Sequence, residues 1–188
     1  NNNSKYAAKY ADIVTHSYHP VKSITTGEGG AILCNDKKIY QKVLNIRSHS
    51  MIKNKSNPKP WYYEIYEAGF NYRISDIQCA LGLSQLKKLS KFVKKRRIIA
   101  NHYKKLLKND NRFILPKEKN NIFHSYHLFP LQIDFAKTKI DKITLFKKLR
   151  LRGINLQVHY IPIHLQPFYK KKYNFKSNSF KNAERFYE

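Results

Sequence analysis

The chain has 188 residues, enough for one ordinary domain or part of a larger one, and 41% of them are hydrophobic, which excludes a disordered composition. Lys plus Arg number 37 against 12 Asp plus Glu, a formal charge of +25, and the excess is mostly lysine. Two cysteines, Cys34 and Cys79, stand far apart without metal-ligand spacing, so a disulfide framework and a structural zinc site are excluded and a cytoplasmic, reducing setting is expected.

The opening NNNSKYAAKYAD has no leader pattern, and no apolar run reaches the ~20 residues of a membrane span. Short apolar runs near 12–16 and 30–34 predict two strands on either side of a polar loop. Asp36 opens a short helix carrying Ile39, Val43 and Ile46 at helical spacing. MIKNKSNPKP at 51–60 is polar and proline-containing, and it predicts a loop.

Ser75-Asp76-Ile77-Gln78 fits a capping box, in which serine and glutamine each satisfy an orphan backbone N–H of the other's residue. From there Ile77, Leu81, Leu86, Leu89, Val93, Ala100, Tyr103 and Leu107 predict one long helix over 75–108, roughly 50 Å at 1.5 Å per residue. The basic cluster at 87–105 falls on its other face and reads as a solvated surface. A nucleic-acid partner is not expected, because the 29 lysines outnumber 8 arginines, the residue that bidentate phosphate and base contacts require. Lys, Asn, Ile and Tyr share AT-rich codons, so a biased genome accounts for the charge; an anionic, nucleotide-linked substrate would still benefit from it. Further on, Tyr126–Asp134 predicts a strand, Thr138–Arg152 a helix with Ile140, Ile143, Phe146 and Leu149 inward and Gly153 as its cap, and Ile154–Ile161 another strand.

Chemistry concentrates in the first polar loop. In HSYHPVKSITTGEGG, Lys22 stands between a predicted strand and a glycine-rich turn, with Pro20 fixing the backbone before it. Hydroxyls at Ser17, Ser23, Thr25 and Thr26 are of the type that binds a phosphate. A lysine held out of bulk water is the side chain that forms Schiff bases with carbonyl compounds. His159 and His164 lack an acidic or cysteine partner in sequence, and no metal site is expected.

The string SYHPVKSITTGEGGA resembles the cofactor-lysine motif S-F-H-x-x-K-x-x-T-x-G-E-G-G of the DegT/DnrJ-type nucleotide-sugar aminotransferases, which depend on pyridoxal 5'-phosphate (PLP). AGFNYRISDIQCALG at 68–82 resembles the family's G-x-N-x-R-x-x-D-x-x-A-A-x-G signature, and GINLQVHYIPIH at 153–164 resembles its strand near the sugar. GINLQVHYIPIHLQPFYKKKY, with HSYHPVKSITTGEGG and LGLSQLKKL, is most similar to the branch serving pseudaminic acid synthesis. His16 and RSHSM at 47–51 depart from the family's usual residues.

The resemblance implies an α/β chain of the PLP-dependent transferase fold type I. Residues 1–74 would be the C-terminal part of the large PLP-binding domain, 75–108 a long connecting helix, and 109–188 a small α/β domain truncated at its C-terminus. Only 21 residues precede Lys22, where the family places about half its chain, so a fragment lacking the N-terminal half, inactive by itself, is expected. Lys22 would be the Schiff-base lysine and the catalytic residue. Ser17 would touch the cofactor phosphate or the substrate, His19 would line the cofactor pocket, and Asn71 would reach the partner's site in a homodimer with shared active sites. Gln157, Val158, His159 and Tyr160 would contact the sugar nucleotide. The implied reaction moves an amino group from glutamate to a UDP-linked 4-keto-6-deoxy-N-acetylhexosamine. Retention of lysine, where the related dehydratases carry histidine, favours aminotransfer over dehydration.

Overall fold

The computed structural model describes residues 10–54 and 56–188. The beginning of the opening stretch and one residue of the 51–60 segment lie outside them. By contacts the chain forms two units, one of residues 1–97 with 120–127 and one of 98–119 with 128–188.

In the first unit, β1 (Ile13–Ser17) and β2 (Gly30–Cys34) pair antiparallel in a register running from Ile13 opposite Cys34 to Ser17 opposite Gly30. Both predicted strands are present, and the polar loop between them is the connection of a hairpin. The helix α1 (Lys37–Arg47) follows at once, capped by the Asp36 carboxylate, which accepts from the Ile39 N–H at 2.8 Å. Met51–Ile52 (β3) pairs antiparallel with Glu64–Ile65 (β4), so the 51–60 segment starts as a short strand before it becomes a loop.

The capping box predicted at Ser75 is formed. Gln78 N–H donates to Ser75 Oγ at 3.4 Å, and Gln78 Oε1 accepts from the Ser75 N–H at 3.0 Å. The single helix expected over 75–108 is two, α2 (Asp76–Leu86) and α3 (Leu89–Leu107). At the joint, between Leu86 and Leu89, the Lys88 N–H bonds the Gln85 carbonyl three residues back at 2.9 Å, a tightened turn. The apolar stripe is uneven in burial: Val93 and Ala100 are buried, whereas Ile77 is 85% exposed.

In the second unit, Phe113–Ile114 (β5) pairs antiparallel with Gln132–Ile133 (β6). The strand expected over Tyr126–Asp134 is thus reduced to the two residues that Phe113–Ile114 pairs with, and Tyr126 at its start adopts φ 48°, outside extended backbone. Asp141 caps α4 (Lys142–Arg150), accepting from the Thr144 N–H at 2.7 Å. The helix is shorter than expected, and of the residues expected inward Ile143 is 68% exposed whereas Phe146 and Leu149 are half-buried. Gly153 ends it as predicted: at φ 75° its N–H bonds the Arg150 carbonyl while the Ile154 N–H bonds that of Leu149. Residues 154–161 form no strand, since no neighbouring segment among the described residues supplies a ladder.

The C-terminal part of this unit wraps His164. Its ring is 6% exposed, packs on Phe180 at 4.8 Å and Phe175 at 6.4 Å, and its Nε2 meets Glu184 Oε1 at 2.8 Å. Glu184 Oε2 accepts from the Asn178 N–H at 2.9 Å, which joins α6 (Lys181–Tyr187) to the turn after α5 (Pro167–Tyr173). The Asn178 N–H first, and then His164, hold the Glu184 carboxyl below the ordinary carboxyl value. Stability from a carboxylate depressed in the folded state is present above the unfolded value of 4.5 and is lost as pH falls through the folded one. Amide exchange across 163–187 should therefore accelerate as pH falls below that range, beyond the intrinsic rate, and Glu184→Gln should flatten that response. An unchanged response in the variant would contradict the assignment.

Candidate active site

The loop between β1 and β2 is organised by its own main chain and hydroxyls. Lys22 N–H donates to the His19 carbonyl at 2.9 Å, closing a turn over Pro20 and Val21. Tyr18 N–H bonds the Gly29 carbonyl at 2.9 Å and Thr26 N–H the Tyr18 carbonyl at 3.0 Å, which draws the two limbs of the loop together. Thr25 Oγ1 donates to the Tyr18 carbonyl and accepts from the Gly27 N–H, both at 2.9 Å. Thr26, 4% exposed, donates to the Glu28 carbonyl at 2.8 Å. Two of the four hydroxyls expected to bind phosphate are thus consumed in building the loop. Ser17 remains accessible at the end of β1, its Oγ accepting from the His19 N–H at 3.4 Å.

Helix α2 supports this loop from outside. Gln78 uses one end of its amide for the capping box and with the other donates from Nε2 to the Glu28 carbonyl at 2.8 Å. Gly82, one turn further, faces Thr26: a Cβ there would stand 2.9 Å from Thr26 Cγ2. Gly29 is required twice over, by φ 150° and because a Cβ would lie 2.4 Å from Thr26 Oγ1. Gln78 and Gly82 stand within the 68–82 motif, which does not by itself mark them as supports of the loop; their helical spacing from the capping serine is the signal that places them there.

Lys22 is half-buried, and among the described residues no hydrogen bond or ion pair is made by its amine. His19 lies beside it in sequence and is exposed, with Nε2 3.8 Å from Glu28 Oε1. Asn71 is exposed and bridges Ser48 by antiparallel main-chain pairing, next to the stacked rings of Phe70 and Tyr72 at 4.7 Å. Ser17, His19, Lys22 and Asn71 all belong to the first unit. Gln157, Val158, His159 and Tyr160 belong to the second, with Gln157 and Tyr160 exposed, Val158 and His159 half-buried, and the His159 and Tyr160 rings 4.3 Å apart. Among the described residues no cluster of His, Cys, Asp or Glu is arranged to hold a metal, and no helix is long and apolar enough to cross a membrane.

Replacing Gln78 by glutamate keeps an acceptor for the Ser75 N–H and removes the donor to Glu28. Gln78→Glu should lower stability by about 1–2 kcal/mol through the lost hydrogen bond and the carboxylate oxygen set against the Glu28 carbonyl, read as a fall in Tm of the intact protein. A variant as stable as the parent would show that the loop does not lean on α2.

The chain is 39% identical over 185 residues to the UDP-4-amino-4,6-dideoxy-N-acetyl-beta-L-altrosamine transaminase of Campylobacter jejuni, covering 98% of this chain and 47% of that protein. The structure of Helicobacter pylori PseC, an aminotransferase involved in the biosynthesis of pseudoaminic acid, superposes with TM-score 0.82 at 35% identity, over 99% of this chain and 49% of that one. The Escherichia coli GDP-4-keto-6-deoxy-D-mannose-3-dehydratase with bound hydrated PLP shares the fold, with TM-score 0.83 at 24% identity over 100% of this chain and 51% of its own. The chain spans about half the length of the curated relatives it matches. The α/β fold of the PLP-dependent transferases expected from sequence is thus the fold found. All 188 residues match one family, and the chain belongs to the DegT/DnrJ/EryC1/StrS aminotransferase family.

Proposed function

We propose that the intact protein is a PLP-dependent aminotransferase that moves the amino group of glutamate onto a UDP-linked 4-keto-6-deoxy-N-acetylhexosamine, with Lys22 as its catalytic residue. The observation that carries the reading is Lys22 itself, half-buried on a hydrogen-bonded hairpin loop with its amine uncommitted among the described residues. The substrate class rests on the C. jejuni relative, whose name states a UDP-sugar transaminase. In this reading residues 1–74 complete a large cofactor domain, 75–108 connect it, and 109–188 form the small domain. The protein acts in the cytoplasm as a homodimer in which Asn71 serves the partner's site.

The donor set fits the cofactor: an amine for its aldehyde carbon, and an accessible hydroxyl at Ser17 for its phosphate. When bound, PLP supplies the electron sink that lets the Cα–H bond of the amino donor break. Lys22 then has two tasks. Its Nζ would hold the cofactor between turnovers and, when not so engaged, would carry the proton that leaves the donor's Cα. The turn from His19 to Lys22 limits the arc through which Nζ moves. His19 lines the pocket beside it. Gln157, Val158, His159 and Tyr160 bind the sugar nucleotide, which the net positive charge of the chain draws in.

A second reading, dehydration of a keto sugar in place of aminotransfer, is raised by the E. coli GDP-4-keto-6-deoxy-D-mannose-3-dehydratase, whose shared fold does not by itself separate the two reactions. The lysine at position 22 argues for aminotransfer, since the dehydratases resembling this family carry histidine there.

Addition of PLP to the intact protein should produce an imine absorbance band that glutamate abolishes and the keto sugar restores. Lys22→Ala should lack the band. Lys22→Arg should keep the fold and lose turnover on the order of 10³-fold or more, because a guanidinium stays protonated and neither forms an imine nor moves the proton. Substitution of His159 or Tyr160 should raise KM for the sugar more than it lowers kcat. If glutamate abolishes the band and this sugar does not restore it, the family reaction stands and the sugar assignment is wrong.

A further inference from the structure

The basic cluster of α3 reads in sequence as a solvated face, yet Arg96 and Arg97 are half-buried and spend their donors on main-chain carbonyls. Arg97 Nη1 donates to the His124 carbonyl at 2.7 Å, with its guanidinium 4.4 Å from the Phe123 ring centre and 5.8 Å from that of Tyr126. Arg96 uses both arms of its fork. Nη1 donates to the His127 carbonyl at 3.2 Å and Nη2 to the Lys22 carbonyl at 3.5 Å, joining segments 31 and 74 residues away. The two arginines thus clasp residues 120–127, a segment that belongs by contact to the first unit although the chain on both sides of it belongs to the second. Tyr126, in the middle of the clasp, is 5% exposed.

Arg96 reaches the loop that carries the lysine. Residue 22 is then held at both ends of its main chain, its N–H by the His19 carbonyl and its carbonyl by Arg96. A planar guanidinium presents two donors in fixed directions, which a lysine ammonium does not. Both contacts are charge-assisted, and their acceptors are carbonyl oxygens with no charge of their own, so the clasp adds rigidity without neutralising the arginine.

We propose that Arg96 is a positioning residue for Lys22: it locks the main chain at residue 22 to α3 and to the 120–127 segment and so fixes where the lysine amine is delivered. The inference rests on the reading of Lys22 as the cofactor-bonding lysine. Its role is to hold, and it touches no reacting atom.

The test compares Arg96→Met, Arg96→Lys and Arg97→Met in the intact protein by amide exchange of the 19–27 peptide and by the pH midpoint of the imine absorbance after PLP is added. Arg96→Met should speed exchange across 19–27 by about threefold, the loss of one long hydrogen bond from a charged donor, and shift the absorbance midpoint. Arg96→Lys should fall between it and the parent. Arg97→Met should loosen the 120–127 peptide and leave both 19–27 readouts unmoved. Equal effects of the Arg96 and Arg97 changes at 19–27, or none from either, overturn the proposal. If Arg96→Met does not fold, parental behaviour of Arg96→Lys in both readouts overturns it as well. Absence of the band in the parent refutes the cofactor reading; a band that Arg96→Met leaves unmoved refutes only the positioning role.

Discussion

The carbonyl of Glu28 accepts two hydrogen bonds, from Thr26 Oγ1 and from Gln78 Nε2, both at 2.8 Å, and the form of the lysine loop depends on that shared acceptor. One donor comes from within the glycine-rich turn and the other from the first turn of α2, so the helix and the loop fix each other. Gln78 can serve because the capping box has already oriented its side chain. Gly82 and Gly29 then permit Thr26 to sit between the helix and the turn. A motif that reads in sequence as two separate landmarks, around Lys22 and around Asn71, is in space one assembly in the same unit.

What holds the loop does not bury the rest. The chain exposes 16293 Å²; two separate compact domains of half its mass each would expose only about 11,000 Å². The hairpin shows why: Ile13, Ile32 and Leu33 are all exposed, and two strands alone are marginal in water. Residues 61–74 display Trp61, Tyr66, Phe70 and Tyr72 together, a density of exposed aromatic surface that belongs to interfaces. Their exposure agrees with a protein in which other polypeptide covers these faces, as the proposed homodimer requires. The same openness leaves carboxylates such as Glu64, bonded by the hydroxyls of Tyr62 and Tyr66, governed by those bonds with little opposition from burial.

Local signals carried the sequence reading furthest. Asp36, Ser75 with Gln78, and Gly153 all act within a few residues, and each does what its type predicts. The two strands of the hairpin are legible for the same reason, as short apolar runs flanking one loop, and their antiparallel pairing is what the structure adds. Strands at 126–134 and 154–161 are expected from apolar content alone; the first finds a partner for Gln132–Ile133, and the second finds none among the described residues. Helical periodicity across 75–108 did not reveal the joint at Lys87 and Lys88, since the apolar spacing from Leu86 to Leu89 continues through it. Lys22 stood out by its neighbours, but Arg96 did not, being one basic residue among many until two distant carbonyls met its fork.

The central claim is that Lys22, one of 29 lysines, bonds the cofactor. Borohydride reduction of the PLP-loaded intact protein, followed by digestion and peptide mass spectrometry, tests it directly, because reduction makes the bond permanent at whichever lysine carries it. The account predicts a single stoichiometric pyridoxyl label on the peptide containing Lys22. A label on a different lysine, or spread over the surface lysines with none at Lys22, would contradict it.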